Sequence, residues 1–124
     1  MSHVLVVDDE PEIVKLVAKL LESRGHRVTI ARDGQEALDA VAAEKPDVLV
    51  IDLNLPKVDG FEVTKRLKGD PATKDLPVVM MTAAFPTVEE ADRGLGMGAD
   101  EYVVKPFLRA VLVHNVERLL SRAT

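Results

Sequence analysis

Four short apolar runs in this chain end in residues that can do chemistry. Val4–Val7 runs into Asp8 and Asp9, Val48–Ile51 into Asp52, Val78–Met81 into Thr82, and Tyr102–Val104 into Lys105. A fifth run, Val28–Ala31, itself ends in plain Ala31. If those ends meet, three carboxylates share one crevice with a hydroxyl and an amine. Like charges about 4 Å apart at an effective dielectric of ~20 repel by on the order of 4 kcal/mol, so such a cluster calls for a cation. The chain has no cysteine and no histidine beside these acids. An all-oxygen donor set selects a hard ion, Mg²⁺ or Mn²⁺, rather than zinc. Mg²⁺ typically takes one or two carboxylates, some waters and a phosphoryl oxygen, which leaves a carboxylate free as a nucleophile. Aspartate can accept a phosphoryl group as an acyl phosphate. Lys105 then serves as a point charge on one phosphoryl oxygen, and Thr82 donates a hydrogen bond to another.

The elements that must position these groups are legible in the hydrophobic pattern. The five apolar runs alternate with segments of helical period. The first of these carries Ile13, Leu16, Val17, Leu20 and Leu21 on one stripe, with Pro11 in its first turn and Gly25 at its stop. Asp33 and Glu36 form a capping-box-like start for a helix bearing Ala37, Leu38 and Val41. A third helix begins near Gly60, uses Phe61, Thr64 and Leu67, and stops at Gly69-Asp70-Pro71. Thr87 with Glu90 starts a fourth, in which Gly94, Gly96 and Gly98 predict a loosely held helix. The last helix presents Leu112, Val116, Leu119 and Leu120. Pro106 terminates the fifth strand because it has no N–H to donate.

Strands apolar on both faces, alternating with helices, predict an α/β fold with a parallel sheet. The count predicts a doubly wound, flavodoxin-like (βα)5 sheet in strand order 2-1-3-4-5, whose ligands sit beyond the carboxyl ends of the strands. In that order strands one, three, four and five are neighbours, so Asp8, Asp9, Asp52, Thr82 and Lys105 converge.

Composition narrows the partners. The 124 residues make one domain, 1–124, with 47% hydrophobic and 30% charged residues and a net charge of −5. That acidic balance, without a basic cluster and with few aromatics, predicts no direct contact with nucleic acid. No apolar stretch is long enough for a membrane span, and the N-terminus lacks the pattern of a signal peptide. Zero cysteines fit a cytoplasmic location.

Taken together, Asp8-Asp9, Asp52, Thr82-Ala83 and Lys105-Pro106-Phe107 resemble the receiver domain of two-component response regulators, the CheY-like family. Pro56 and Gly60, and Gly98-Ala99-Asp100 before the last strand, are similar as well. The resemblance covers essentially the whole chain. It implies Asp52 as phosphoacceptor, Asp9 as a direct Mg²⁺ ligand, Asp8 as a ligand through water, and the backbone carbonyl of Asn54 as a further ligand. It implies that Lys105 pairs with the acyl phosphate, that its peptide bond to Pro106 is cis, and that Thr82 and Tyr102 form the switch. Asn54 and Ala84 are the positions that tune phosphate lifetime. A sensor histidine kinase or phosphotransfer protein is the implied donor. A downstream protein or output domain is the implied target, read by the face of the fourth helix, fifth strand and fifth helix. Such a module transfers a phosphoryl group to itself and turns over no free substrate, so it is not an enzyme in the ordinary sense. Arg93, Asp100, Glu101, Arg118 and Arg122 offer ion pairs to a homodimer formed on phosphorylation, against the plain reading of an exposed charged surface.

The alternative class is a Mg²⁺-dependent phosphatase with an aspartyl nucleophile. Such enzymes place a second Asp two residues after the nucleophile, where this chain has Asn54.

Overall fold

A computed structural model describes residues 2–53, 55, 57–82, 100–104 and 109–122, and the side chains of these apart from residues 82, 104, 109 and 122. The strands are β1 (His3–Val7), β2 (Arg27–Ala31), β3 (Val48–Asp52), β4 (Val78–Thr82) and β5 (Glu101–Val104). The helices are α1 (Pro11–Glu22), α2 (Gly34–Ala43), α3 (Gly60–Lys68) and a C-terminal helix (Arg109–Arg122). The strands form one five-stranded sheet in the order β2-β1-β3-β4-β5, every pair parallel. This is the predicted order. The helix expected from Thr87, with its three glycines, lies outside the described residues, as do Lys105, Pro106, Asn54 and Ala84.

Strand alternation splits the core into two layers. Leu5, Val7, Leu49, Ile51, Val78 and Met80 face one way and pack with Ala37, Val41, Phe61, Val63 and Leu67 of α2 and α3. Val4, Val6, Val48, Val50, Val79 and Met81 face the other way, against Val17 and Leu21 of α1 and Leu112, Val116 and Leu119 of the C-terminal helix. Successive side chains of a strand point to opposite faces, so helices on both sides require strands that are apolar throughout. Every residue of β1 and β3 is buried. β2 is an edge strand, and its Ile30 is exposed.

Most expected elements are found with ends moved by a residue. α1 differs in rotation. Its buried stripe is Val14, Val17, Ala18 and Leu21, while Leu16 and Leu20 are only partly buried. Both stripes satisfy the helical period, and packing against the sheet selects the one with Ala18, a small residue that permits close approach. Gly25 ends α1 as expected. Its φ of +89° places it in the left-handed region, with bonds from Gly25 N–H to Glu22 C=O (3.0 Å) and from His26 N–H to Leu21 C=O (3.1 Å). That pair is the Schellman arrangement, which glycine adopts without a Cβ penalty.

At α2 the Asp33 carboxylate accepts the Glu36 N–H at 2.8 Å. The Glu36 side chain reaches back to the Arg32 N–H at 3.2 Å, one residue further than in a regular capping box. α3 is capped the same way, with Asp59 accepting the Glu62 N–H at 2.9 Å. Thr64 is buried and donates its hydroxyl to Gly60 C=O at 2.9 Å. Among the described residues no helix is long and apolar enough to cross a membrane.

Candidate functional site

The acidic residues meet because β1 and β3 are neighbours in register. Val7 pairs with Ile51, so Asp8 and Asp52 are the next pair at the carboxyl ends of the two strands. Asp8 is fully buried and Asp52 nearly so, at 4% exposure, whereas Asp9 and Glu10 are exposed. One carboxylate oxygen from each of Asp8, Asp9, Glu10 and Asp52 lies within 4.8 Å of the others. At that spacing each like-charge pair repels by on the order of 3–4 kcal/mol at an effective dielectric of ~20. The donor set is all carboxylate, with no nitrogen or sulfur, and it suits a hard divalent cation.

Aspartate is a favoured helix cap, yet neither Asp8 nor Asp9 caps α1: the N-cap residue is Glu10, which makes no side-chain cap bond. Asp8 Oδ1 accepts the Glu10 N–H at 3.0 Å, fixing the turn between strand and helix instead. Glu10 is the member of the cluster that sequence reasoning missed. Its signal was its position directly after Asp8-Asp9, where Pro11 forces the chain to turn into α1.

Asp52 is held from behind. Leu53 N–H bonds Met81 C=O at 2.9 Å, so the chain stays in the sheet one residue past Asp52. Gly60, which opens α3, returns to this point and donates its N–H to Leu53 C=O at 3.0 Å. A Cβ at Gly60 would stand 2.5 Å from Asp52 C=O, so only glycine allows this approach.

The remaining candidates are placed as follows. Thr82 ends β4 in register with Val104, and Met81 pairs with Asp52, so the Thr82 backbone sits one step beyond Asp52 at the same sheet edge. Tyr102 is half-buried on β5, in register with Met80, and packs against the core layer of α2 and α3. Lys105 and Asn54 fall outside the described residues. Of the charges considered for a homodimer, Glu101 and Arg118 pair with each other within the chain. Asp100 is engaged inside the chain too, by Val78 N–H and Lys68. The histidines stay apart. His3 is buried against Thr29, His26 pairs with Glu117, and His114 is exposed.

Comparison with known proteins agrees with this geometry. The family model for the response regulator receiver domain matches residues 4–117. The response regulator MprA of Mycobacterium tuberculosis is 40% identical over 120 residues, covering 97% of this chain and 51% of that protein. The DNA-binding dual master transcriptional regulator RpaA of Synechocystis is 40% identical over 122 residues, covering 98% of this chain and 50% of that protein. The chain therefore spans about half the length of these curated relatives. The receiver domain of the Francisella response regulator 1452 superposes with a TM-score of 0.92 at 33% identity, covering 100% of both chains. With its acidic strand ends, its 2-1-3-4-5 parallel sheet and a family match across nearly its whole length, the chain belongs to the response regulator receiver domain family.

Proposed function

We propose that this chain is a phosphorylation-controlled signalling switch of a two-component system, with Asp52 as the phosphoryl acceptor. The observation that carries the reading is the convergence of Asp8, Asp9, Glu10 and Asp52 at the carboxyl ends of β1 and β3. The carboxylate set fits Mg²⁺ in charge and donor type, with Asp8, Asp9 and Asp52 as the residues that would hold it, joined by the Asn54 carbonyl. When bound, Mg²⁺ supplies charge neutralisation for the incoming phosphoryl oxygens.

In the proposed reaction an Asp52 carboxylate oxygen forms a bond to phosphorus as the P–N bond of a donor phosphohistidine breaks. The electron pair leaves with the imidazole, which takes up a proton. Burial of Asp52 at the end of β3, beside a turn fixed at Leu53 and Gly60, limits the directions from which the donor approaches. Thr82 donates a hydrogen bond to the new phosphoryl group, and Lys105 pairs with it. Movement of Thr82 and Tyr102 then biases an existing two-state equilibrium toward the form that a downstream protein binds. The self-phosphorylation turns over no free substrate. A sensor histidine kinase or phosphotransfer protein is the donor, and the cytoplasm is where both would meet. RpaA is named as DNA-binding, and this chain matches half of it. The acidic balance of these 124 residues supports placing any DNA contact of a protein of that kind in its other half.

Intact-mass measurement after incubation with acetyl phosphate and Mg²⁺ tests the reading. The expected result is a single phosphoryl adduct on the wild type, absent with EDTA and absent in Asp52→Asn. No adduct on folded wild type, together with no binding of beryllofluoride, would overturn it.

A further inference from the structure

The loop that leaves Asp52 is fixed at its far end by a second helix, through a contact that chain order does not suggest. A Cβ built on Gly34, the first residue of α2, would stand 1.8 Å from the Val58 carbonyl oxygen and 2.6 Å from the Val58 Cβ. Gly34 thus presses its backbone directly on the segment between β3 and α3. One residue earlier, Asp33 is buried and caps α2. Its second carboxylate oxygen lies 3.4 Å from Lys57 Nζ. Lys57 is also the one non-glycine residue with positive φ among the described residues, at +67°. That conformation is unfavourable for lysine and persists where surrounding contacts determine it.

We infer that Asp33 and Gly34 are positioning residues for the Asp52 site, acting through Lys57 and Val58. The inference rests on the phosphoacceptor reading above. Leu53 is held by Met81 and Gly60, and Lys57 and Val58 are held by Asp33 and Gly34. α2 cannot retreat to make room, because Ala37 and Val41 are seated in the core. A methyl group at residue 34 therefore pushes the loop. Displacement at Val58 is carried through Asp59 to Gly60, where a Cβ would stand 2.5 Å from the Asp52 carbonyl oxygen. The acidic pocket thus owes its shape to a helix that contributes no ligand.

The test compares Mg²⁺ affinity, read from amide shifts of Asp8, Asp9 and Glu10 during MgCl2 titration, in the wild type, Gly34→Ala, Lys57→Gly and Leu119→Ala. Outer partners of metal ligands typically change affinity roughly 10–100-fold, and the expected loss for Gly34→Ala is about 10-fold. Lys57→Gly suits the positive φ, so it folds whatever happens to Gly34→Ala; its expected loss is roughly threefold, below that scale because the loop backbone keeps its conformation and loses only the pair with Asp33. Leu119→Ala destabilises the protein from the opposite core layer, away from α2 and the loop, and leaves Mg²⁺ affinity at the wild-type value. Slower adduct formation from acetyl phosphate accompanies the loss in the two loop variants. Wild-type affinity in Lys57→Gly and in any folded Gly34→Ala overturns the inference. So does an equal loss in Leu119→Ala. Wild type that binds no Mg²⁺ at all overturns the phosphoacceptor reading itself and is recognised before any variant is compared.

Discussion

Asp100 and Val78 hold each other by two reciprocal hydrogen bonds. Asp100 N–H donates to Val78 C=O at 2.8 Å, and the Asp100 carboxylate accepts Val78 N–H at 2.8 Å. Lys68 Nζ stands 3.7 Å from the same carboxylate oxygen and donates to Leu76 C=O at 2.6 Å. The clasp ties the start of β5 to the start of β4, and the end of α3 to both. It sets the β4–β5 register, and with it the position of Thr82 and Val104 at the opposite edge. Asp100→Ala leaves the Val78 N–H without its acceptor, at a cost of about 1–3 kcal/mol. Asp100→Asn keeps an acceptor oxygen and costs less. Urea unfolding of the two variants beside wild type checks the order, and equal midpoints for both variants would contradict it.

Crowding of carboxylates predicts a sign reversal with metal. Without divalent ions, Asp52→Asn removes one buried negative charge and raises stability by on the order of 1 kcal/mol or more. With Mg²⁺ at about a hundred times its Kd, wild type gains about 2.7 kcal/mol through binding. The variant, lacking one of the proposed ligands, gains less. Thermal melts in EDTA and in saturating MgCl2 read both effects. A metal-free variant that melts at or below the metal-free wild type is the contrary outcome.

Gly60 has no room for a side chain beneath Asp52. Gly60→Ala places a methyl 2.5 Å from Asp52 C=O and 3.0 Å from Leu53 Cα. The expected cost is about 1–3 kcal/mol, the usual range for overpacking. Gly69→Ala meets nothing closer than 3.3 Å at the end of the same helix and is the milder change. Denaturant midpoints that rank the two in the reverse order would refute the steric account.

The junction of α1 with the C-terminal helix is sensitive to acid. Arg24 donates to both Glu117 carboxylate oxygens, at 2.9 and 3.3 Å, and His26 Nε2 lies 3.1 Å from one of them. The Arg24 hydrogen bond, helped by His26, holds the Glu117 carboxyl below the usual glutamate range. A depressed folded pKa means that the unfolded chain binds the proton more readily. The stability from this pair is therefore present above about pH 4.3, the unperturbed glutamate value, and is lost as pH falls through the lower folded value. Glu117→Gln removes that part of the acid dependence. The difference is small, because Arg24 is more than half exposed and screened by solvent. Urea midpoints between pH 6 and pH 3 should fall more steeply for wild type than for the variant, and parallel curves would count against the pair.

Much of this protein was already written in local pattern. Doubly apolar strands, helical stripes, the Asp33 cap and the Gly25 stop depend on residues within one or two turns of each other, and their physics is local. The convergence of Asp8, Asp9 and Asp52 was legible too, because strand order follows from the number and alternation of elements, and the order dictates which strand ends are neighbours. Tertiary structure decided what local pattern leaves open. Leu16 and Leu20 satisfy the helical period as well as Val14 and Ala18 do, and only packing against the sheet chose between them. Glu10 entered the acidic cluster through the turn that Asp8 stabilises. Asp100, readable as a surface charge, closes the β4–β5 clasp. Gly34 lies far from Val58 in sequence, and its need to be glycine arises where two loops cross. Such contacts depend on the distance between separate elements, which is fixed by the volume of the side chains packed between them and has no period along the chain.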